Sequence, residues 1–218
     1  MVALAEIQRE TIKHEFDLFG RACRIPLFRT MGQFMCEEVF LPPGGPFEGQ
    51  LFDMDRQPWS RLWFELVDSE QFTTHVATGG VQQGKTLTCY VGPAMYYLFE
   101  RGENVGCGIP QMEMARDKWE RDFKPVIKAS KYAELVPEIG QGSKGGEFDA
   151  ITFKNGATLK FMSAKGNDAK RSGVTFRVLV ITEADKFDEA SKTSRETSPI
   201  GQMIARLAAF QTLNQRAD

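Results

Sequence analysis

The chain has 218 residues, 42% of them hydrophobic and 26% charged, and a formal net charge of −2. That length suits one globular domain, or a domain with a small appendage. The charge excludes an overall basic field that would gather nucleic acid, so any DNA contact must be local, in a channel or on a loop.

In chain order, residues 1–40 alternate helix-like patches with weak turns, and LPPGGPFEGQ (41–50) is rich in Pro and Gly and reads as a loop. The boundary falls there, with an N-terminal helical appendage over 1–45 and the main domain over 46–218. DRQPWSRLWFELV (55–67) predicts an amphipathic helix opening at Pro58. A strand–loop–helix rhythm follows. FTTHVAT (72–78) has the β-branched and aromatic content of a strand, GGVQQG is a loop, and KTLTCYVGPAMYYLFERG predicts a helix ending at Gly102. ENVGCGIP predicts a short strand closed by Pro110, and QMEMARDKWERDFKPVIKAS a helix with a kink near Pro125.

EIGQGSKGGEFD (138–149) reads as a polar loop. AITFKNGATLKFMSA (150–164) predicts a β-hairpin insertion, with Asn155-Gly156 forming a tight type I′ turn. KGNDAKRSG (165–173) is a basic loop, FRVLVI (176–181) a buried parallel strand, and PIGQMIARLAAFQTLNQ a last helix with Pro199 near its start. Alternating strands and helices predict an α/β fold with a mainly parallel sheet flanked by helices, which GGVQQGKT (79–86), a match to G-x-x-x-x-G-K-[ST], makes one of the P-loop NTPase type. Ligands of such sheets bind at the carboxyl ends of the strands, where the 79–86 loop lies.

The remaining composition points inward. Cys23, Cys36, Cys89 and Cys107 form no C-x-x-C pair, and His14 and His75 are the only histidines, so neither a zinc site nor a disulfide framework is indicated. Buried, reduced thiols in a cytoplasmic protein are expected. No apolar run approaches the roughly 18 residues that span a membrane. The start, MVALAEIQRETIKHEF, carries charges where a signal peptide needs its apolar centre.

GGVQQGKT (79–86) fits G-x-x-x-x-G-K-[ST] in full. Its residues Gly79, Gly80, Val81, Gln82, Gln83, Gly84, Lys85 and Thr86 are candidates for nucleotide binding. The glycines let the backbone turn N–H groups inward, and the following helix adds its positive end. Lys85 is placed to reach the β- and γ-phosphates, and the Thr86 hydroxyl to bind Mg²⁺. Such a cradle needs an acidic partner at the end of an apolar strand. Here that end reads Thr182-Glu183-Ala184-Asp185. Glu183 stands where a catalytic glutamate orients water. Thr182 stands where an Asp is usual, so the metal is left to Thr86 and Thr182, or to Asp185 compensating from the loop.

The P-loop, the hairpin, the K-R-S-G loop and the apolar strand ending in T-E-A-D come in the order found in phage terminase large subunits. The chain resembles that family over roughly residues 40–212, its lambda-type branch above all, through PPGGPFEGQLFDMDRQPW, KGNDAKRSGVTFRVLVITEAD and PIGQMIARLAAF. The resemblance implies an ATP- and Mg²⁺-dependent motor domain that drives double-stranded DNA into a procapsid. It implies a homo-oligomeric ring, portal and small-terminase partners, no membrane, and a phage- or prophage-encoded protein in the host cytoplasm. It gives Gln57 the part of the glutamine that reads the adenine edge, and Gln82 or Gln83 a contact with the γ-phosphate. Arg171 matches best the arginine that reaches a neighbouring subunit's nucleotide, with Lys170 its competitor. Lys165, Lys170 and Arg171 are alternatively contacts for DNA phosphates. The family's nuclease domain has no counterpart after Asp188, and its coupling strand would lie past Asp218, so an ATPase domain ending before that strand is expected. Two other readings stay open: a helicase-like or recombination ATPase on the same fold, and a nucleotide-binding interaction module without turnover.

Overall fold

The computed structural model describes residues 28–137, 143–144, 147–148, 150–163, 176–187 and 199–207, together with Ile12, Lys13 and Phe16. The basic loop with Lys165, Lys170 and Arg171 lies outside the described residues, as do Cys23, His14 and the last helix beyond residue 207.

A four-stranded sheet organises the chain, in the order β4-β5-β1-β6. Its strands are β1 (Val105–Ile109), β4 (Ala150–Thr152), β5 (Thr158–Ser163) and β6 (Val178–Ile181); β2 (Ser143–Lys144) and β3 (Glu147–Phe148) form a separate antiparallel pair. β1 is central and pairs parallel with β5 on one side and with β6 on the other; Val105 stands opposite both Leu159 and Val178. Every residue of β1 is buried, the pattern expected of a parallel strand covered on both faces.

The two faces of β1 differ. Val105, Cys107 and Ile109 belong to the larger core, shared with helix residues Tyr90, Ala94, Trp119 and Phe123. Gly106 alternates to the other face, where a Cβ would come within 2.8 Å of Met162 Cε and 3.2 Å of Phe176. A glycine there lets the smaller cluster of Met162, Phe176, Phe187 and Met203 lie directly on the strand.

The covering helices are α1 (Met31–Glu38), α2 (Trp59–Asp68), α3 over 86–100, α4 over 114–129 and α5 (Pro199–Ile204). α3 and α4 share a feature. Each contains a wide turn with i→i+5 hydrogen bonds that closes on the residue before a proline. Gly92 N–H reaches Leu87 O ahead of Pro93, and Lys124 N–H reaches Trp119 O ahead of Pro125. Proline has no N–H to give and its ring crowds the carbonyl one turn back. The wide turn is where each helix takes up that misfit, beside Pro93 in α3 and beside Pro125 in α4. α3 ends as predicted, with Gly102 at φ +67° just past it.

The N-terminal elements join the same core. α1 has a capping box, with the Thr30 side chain accepting from Gln33 N–H and Gln33 from Thr30 N–H. Met31 N–H also donates to both Asp68 carboxylate oxygens, at 2.8 and 3.0 Å, which ties the start of α1 to the end of α2. Arg29 forks onto Glu100 at the end of α3, at 3.1 and 2.7 Å, and also holds Glu38 at 2.6 Å. That guanidinium keeps the Glu100 carboxyl below its ordinary value. Met31, Phe34 and Met35 of α1 are fully buried against the sheet's helices.

Four expectations need correction. Residues 72–78 form no strand: they pair with nothing in the sheet, and Phe72 and Val76 are 55% and 80% exposed. β4 and β5 do pair antiparallel, but β5 is an interior strand of the main sheet, so the segment is no insertion beside it. The connecting turn is also not type I′. Gly156 has φ +88° while Asn155 does not take a positive φ, and Gly156 N–H closes on Phe153 O. Asn155 instead spends its side chain on Leu98 O and Ala157 N–H, which pins the turn to α3. The 138–149 segment, read as loop, contributes the short β2–β3 pair.

Phe123 tests this core. It is fully buried and its ring meets those of Tyr90 at 5.4 Å and Phe161 at 6.1 Å, at the seam between α3, α4 and β5. Phe123→Ala is expected to cost about 3–5 kcal/mol of unfolding free energy, read by denaturant titration. A loss below ~1 kcal/mol would place the seam outside the cooperative core.

Candidate nucleotide site

The 79–86 loop sits at the start of α3. Gln82 and Gly84 both take left-handed backbone conformations, φ +61° and φ +74°. The Lys85 ammonium turns back over the loop and donates to Gly79 O at 2.9 Å and to Gly80 O. The Gln83 side chain lies across Gly79 and Gly80: a Cβ on Gly79 would stand 2.8 Å from Gln83 Oε1. Val81 is 91% exposed at the crest of the loop. Thr86 is exposed at the first residue of the helix, and Thr88 N–H closes the first turn on Gly84 O at 3.0 Å.

Gln57 comes from the turn before α2. Its Oε1 accepts from the Thr88 hydroxyl at 2.9 Å, and its Nε2 faces Gln83 O at 3.4 Å. The amide therefore lies on the phosphate loop itself.

The acidic side stands at the end of β6. Thr182 N–H donates to Gly108 O at 3.1 Å, continuing the β1–β6 ladder by one residue. Glu183 then leaves the ladder at φ +55°, a conformation costly for a side chain of its size. Lys186, three residues on, holds its Oε2 at 2.6 Å, and Lys118 of α4 approaches Oε1 at 3.7 Å. The hydrogen bond from Lys186 and the charge of Lys118 hold the Glu183 carboxyl below its ordinary value of 4.5. Asp185 is exposed on the short 3₁₀ turn Ala184–Phe187, which Phe187 anchors in the smaller core.

The first turn of α3 packs beside both β6 and the 118–123 turn of α4, so the loop and Glu183 lie on one side of the sheet, past the carboxyl ends of β1 and β6. The donor set fits a nucleoside triphosphate with Mg²⁺. A lysine ammonium stands over the loop, two of its backbone positions are left-handed, an exposed threonine hydroxyl opens the helix, and an ionised carboxylate lies across from it. Arg171, Lys170 and Lys165 lie outside the described residues.

Three residues of the site escaped the sequence reading. Lys186 had a signal, since it follows Glu183 by three on a predicted loop. Thr88 had a weak one, a second threonine in K-T-L-T on the helix face turned inward. Lys118 had none, because only the packing of α4 against α3 brings it to Glu183.

The three described cysteines are unbridged. Cys36, Cys89 and Cys107 are free thiols, and burial pushes Cys89 up to about 12. Among the described residues, no helix is long and apolar enough to cross a membrane.

The family model for the phage terminase large subunit gpA ATPase domain matches residues 48–216. Comparison with curated proteins and with solved structures gives no match.

Proposed function

The chain belongs to the gpA family of phage terminase large subunits, through their ATPase domain, and we propose that it hydrolyses ATP to drive double-stranded DNA into a procapsid. The observation that carries this reading is the Lys85 loop at the start of α3, whose first turns pack against β6, the strand that runs out at the strained Glu183. Gly79, Gly80, Val81, Gln82, Gln83, Gly84, Lys85 and Thr86 hold the phosphates. Thr86 with Thr182, or with Asp185 from the turn beyond it, would hold Mg²⁺, which when bound would neutralise charge developing on the phosphate oxygens. Glu183 orients the attacking water and accepts its proton. The family match begins at residue 48, inside the 41–50 Pro/Gly loop, and the boundary between an appendage over 1–45 and an ATPase domain over 46–218 is drawn there, with α1 of the appendage packed into the domain's core.

Assembly completes the site in this account. Arg171 of one subunit reaches the nucleotide of its neighbour in a homo-oligomeric ring, with portal and small terminase as further partners in the host cytoplasm. Such an arginine is worth about 10³–10⁵ in rate. Phosphate release per chain is therefore expected to rise with protein concentration, and Arg171→Ala to remove that rise while leaving the dilute rate unchanged. A dilute rate that also falls in Arg171→Ala would put the arginine in its own subunit's site.

Thr182 in place of an aspartate favours a second reading, a nucleotide-binding module without turnover. Tight ATP binding with no phosphate release at any protein concentration, unchanged by Glu183→Gln, would select it.

A further inference from the structure

Gln57 and Thr88 form a contact that phosphate binding alone does not require. Thr88 is fully buried, yet its hydroxyl has a partner: Gln57 Oε1, at 2.9 Å. The other end of the same amide, Nε2, faces Gln83 O at 3.4 Å. Between those two points lies Gly84, at φ +74°, where a Cβ would fall 2.1 Å from Gln57 Nε2. The amide thus fills the space a side chain at 84 would occupy. It bridges the backbone before the loop's last glycine to the first turn of α3.

Gln57 is itself held in place. Its carbonyl accepts from Ser60 N–H at 2.9 Å and from the Ser60 hydroxyl at 2.7 Å, which fixes its backbone to the first turn of α2. α2 is fixed in turn by Phe64, buried against Phe52, and by Asp68 on the start of α1. The chain of contacts runs from the core through α2 and Gln57 to the loop.

We propose that Gln57 and Thr88 act as a brace that holds the 83–88 backbone in its phosphate-binding shape, so that Gln57 serves every nucleoside triphosphate alike and is not the group that reads the base. The inference rests on the nucleotide-binding reading of the loop. Each polar end of the amide has a partner on the loop side, Oε1 at the Thr88 hydroxyl and Nε2 at Gln83 O. A loop held in its binding shape before the ligand arrives avoids the ordering cost at binding. The brace also explains the glycine at 84 twice over, by its φ and by the amide that fills its open side.

The test is titration of ATP, GTP and inorganic tripolyphosphate against the wild-type chain, Gln57→Ala and Thr88→Val. Thr88→Val keeps the buried shape and removes the hydroxyl. The brace predicts that each variant weakens all three ligands by the same factor, about 3–10-fold for one net hydrogen bond. It predicts that the double variant is no weaker than Gln57→Ala, since the two residues act as one unit. Both variants should remain folded without ligand, with an unfolding midpoint lowered by no more than the loss of about one buried hydrogen bond. A loss confined to ATP, with tripolyphosphate unchanged, would make Gln57 a base reader and overturn the brace. Unchanged affinity for all three ligands would overturn it too. A wild-type chain that binds none of the three would instead refute the nucleotide-binding reading, and that outcome is separate from a variant without effect.

Discussion

Lys85→Ala is expected to lower phosphate release from ATP by at least about 10²–10³-fold, the loss typical when one preorganised charge partner is removed from a transition state. Lys85 is the only cation within 79–86, and its ammonium already stands over the loop on Gly79 O and Gly80 O. In the free chain those carbonyls satisfy it. With phosphate present it exchanges two neutral acceptors for charged ones, which make stronger hydrogen bonds. Alanine removes the charge and also the group that draws residues 79, 80 and 85 together. Nucleotide affinity is therefore expected to fall along with turnover. Phosphate release and ATP titration of the two proteins check this. Unchanged release in Lys85→Ala would remove the loop from the reaction.

Glu183→Gln is expected to separate the two steps: ATP binding kept within about 3-fold, and phosphate release lowered by ~10²–10⁴-fold, the range for a lost general base. The amide preserves the size of the side chain but cannot take a proton from water. The local fold should survive, because the strained φ of +55° belongs to the backbone and the neighbouring turn is anchored by buried Phe187. The pH dependence follows from the lysines. Lys186 first, then Lys118, hold the carboxyl below 4.5, so Glu183 is ionised throughout the neutral range. A carboxyl whose folded value is depressed adds stability that is present above its unfolded value and lost as pH falls through the folded one. The acid limb of the rate profile is accordingly expected below pH 4.5, and Lys186→Met should move it upward. A limb that stays in place in Lys186→Met would mean that another group sets it.

The parts of this molecule that could be read from the sequence are those in which neighbours in the chain are neighbours in space. GGVQQGKT presents its loop, lysine and threonine as one contiguous piece, and FRVLVI followed by Thr182-Glu183 presents a buried strand and its acidic end. The apolar run of β1 and Gly102 beyond α3 are legible for the same reason. Residues 72–78 show the limit. Their β-branched pattern states a preference for extended backbone, but a strand also needs a partner that local pattern does not name. Asn155-Gly156 was legible as a turn but not as a turn type, because Asn155 is drawn to Leu98 O on a helix distant in sequence. Lys118 and Thr88 belong to the site only through packing. Gln57 was legible as a site residue, yet which of its possible partners it meets depends on how α2 lies against α3.

The account's central claim is that this chain turns over ATP through Glu183. Phosphate release from ATP and Mg²⁺ by the purified chain, measured beside Glu183→Gln at matched protein concentrations and with ATP binding titrated for both, tests it most directly. The account predicts release by the wild-type chain, its loss in Glu183→Gln, and nearly equal ATP affinity. Equal release by the two proteins, or none by either with ATP bound, would contradict it.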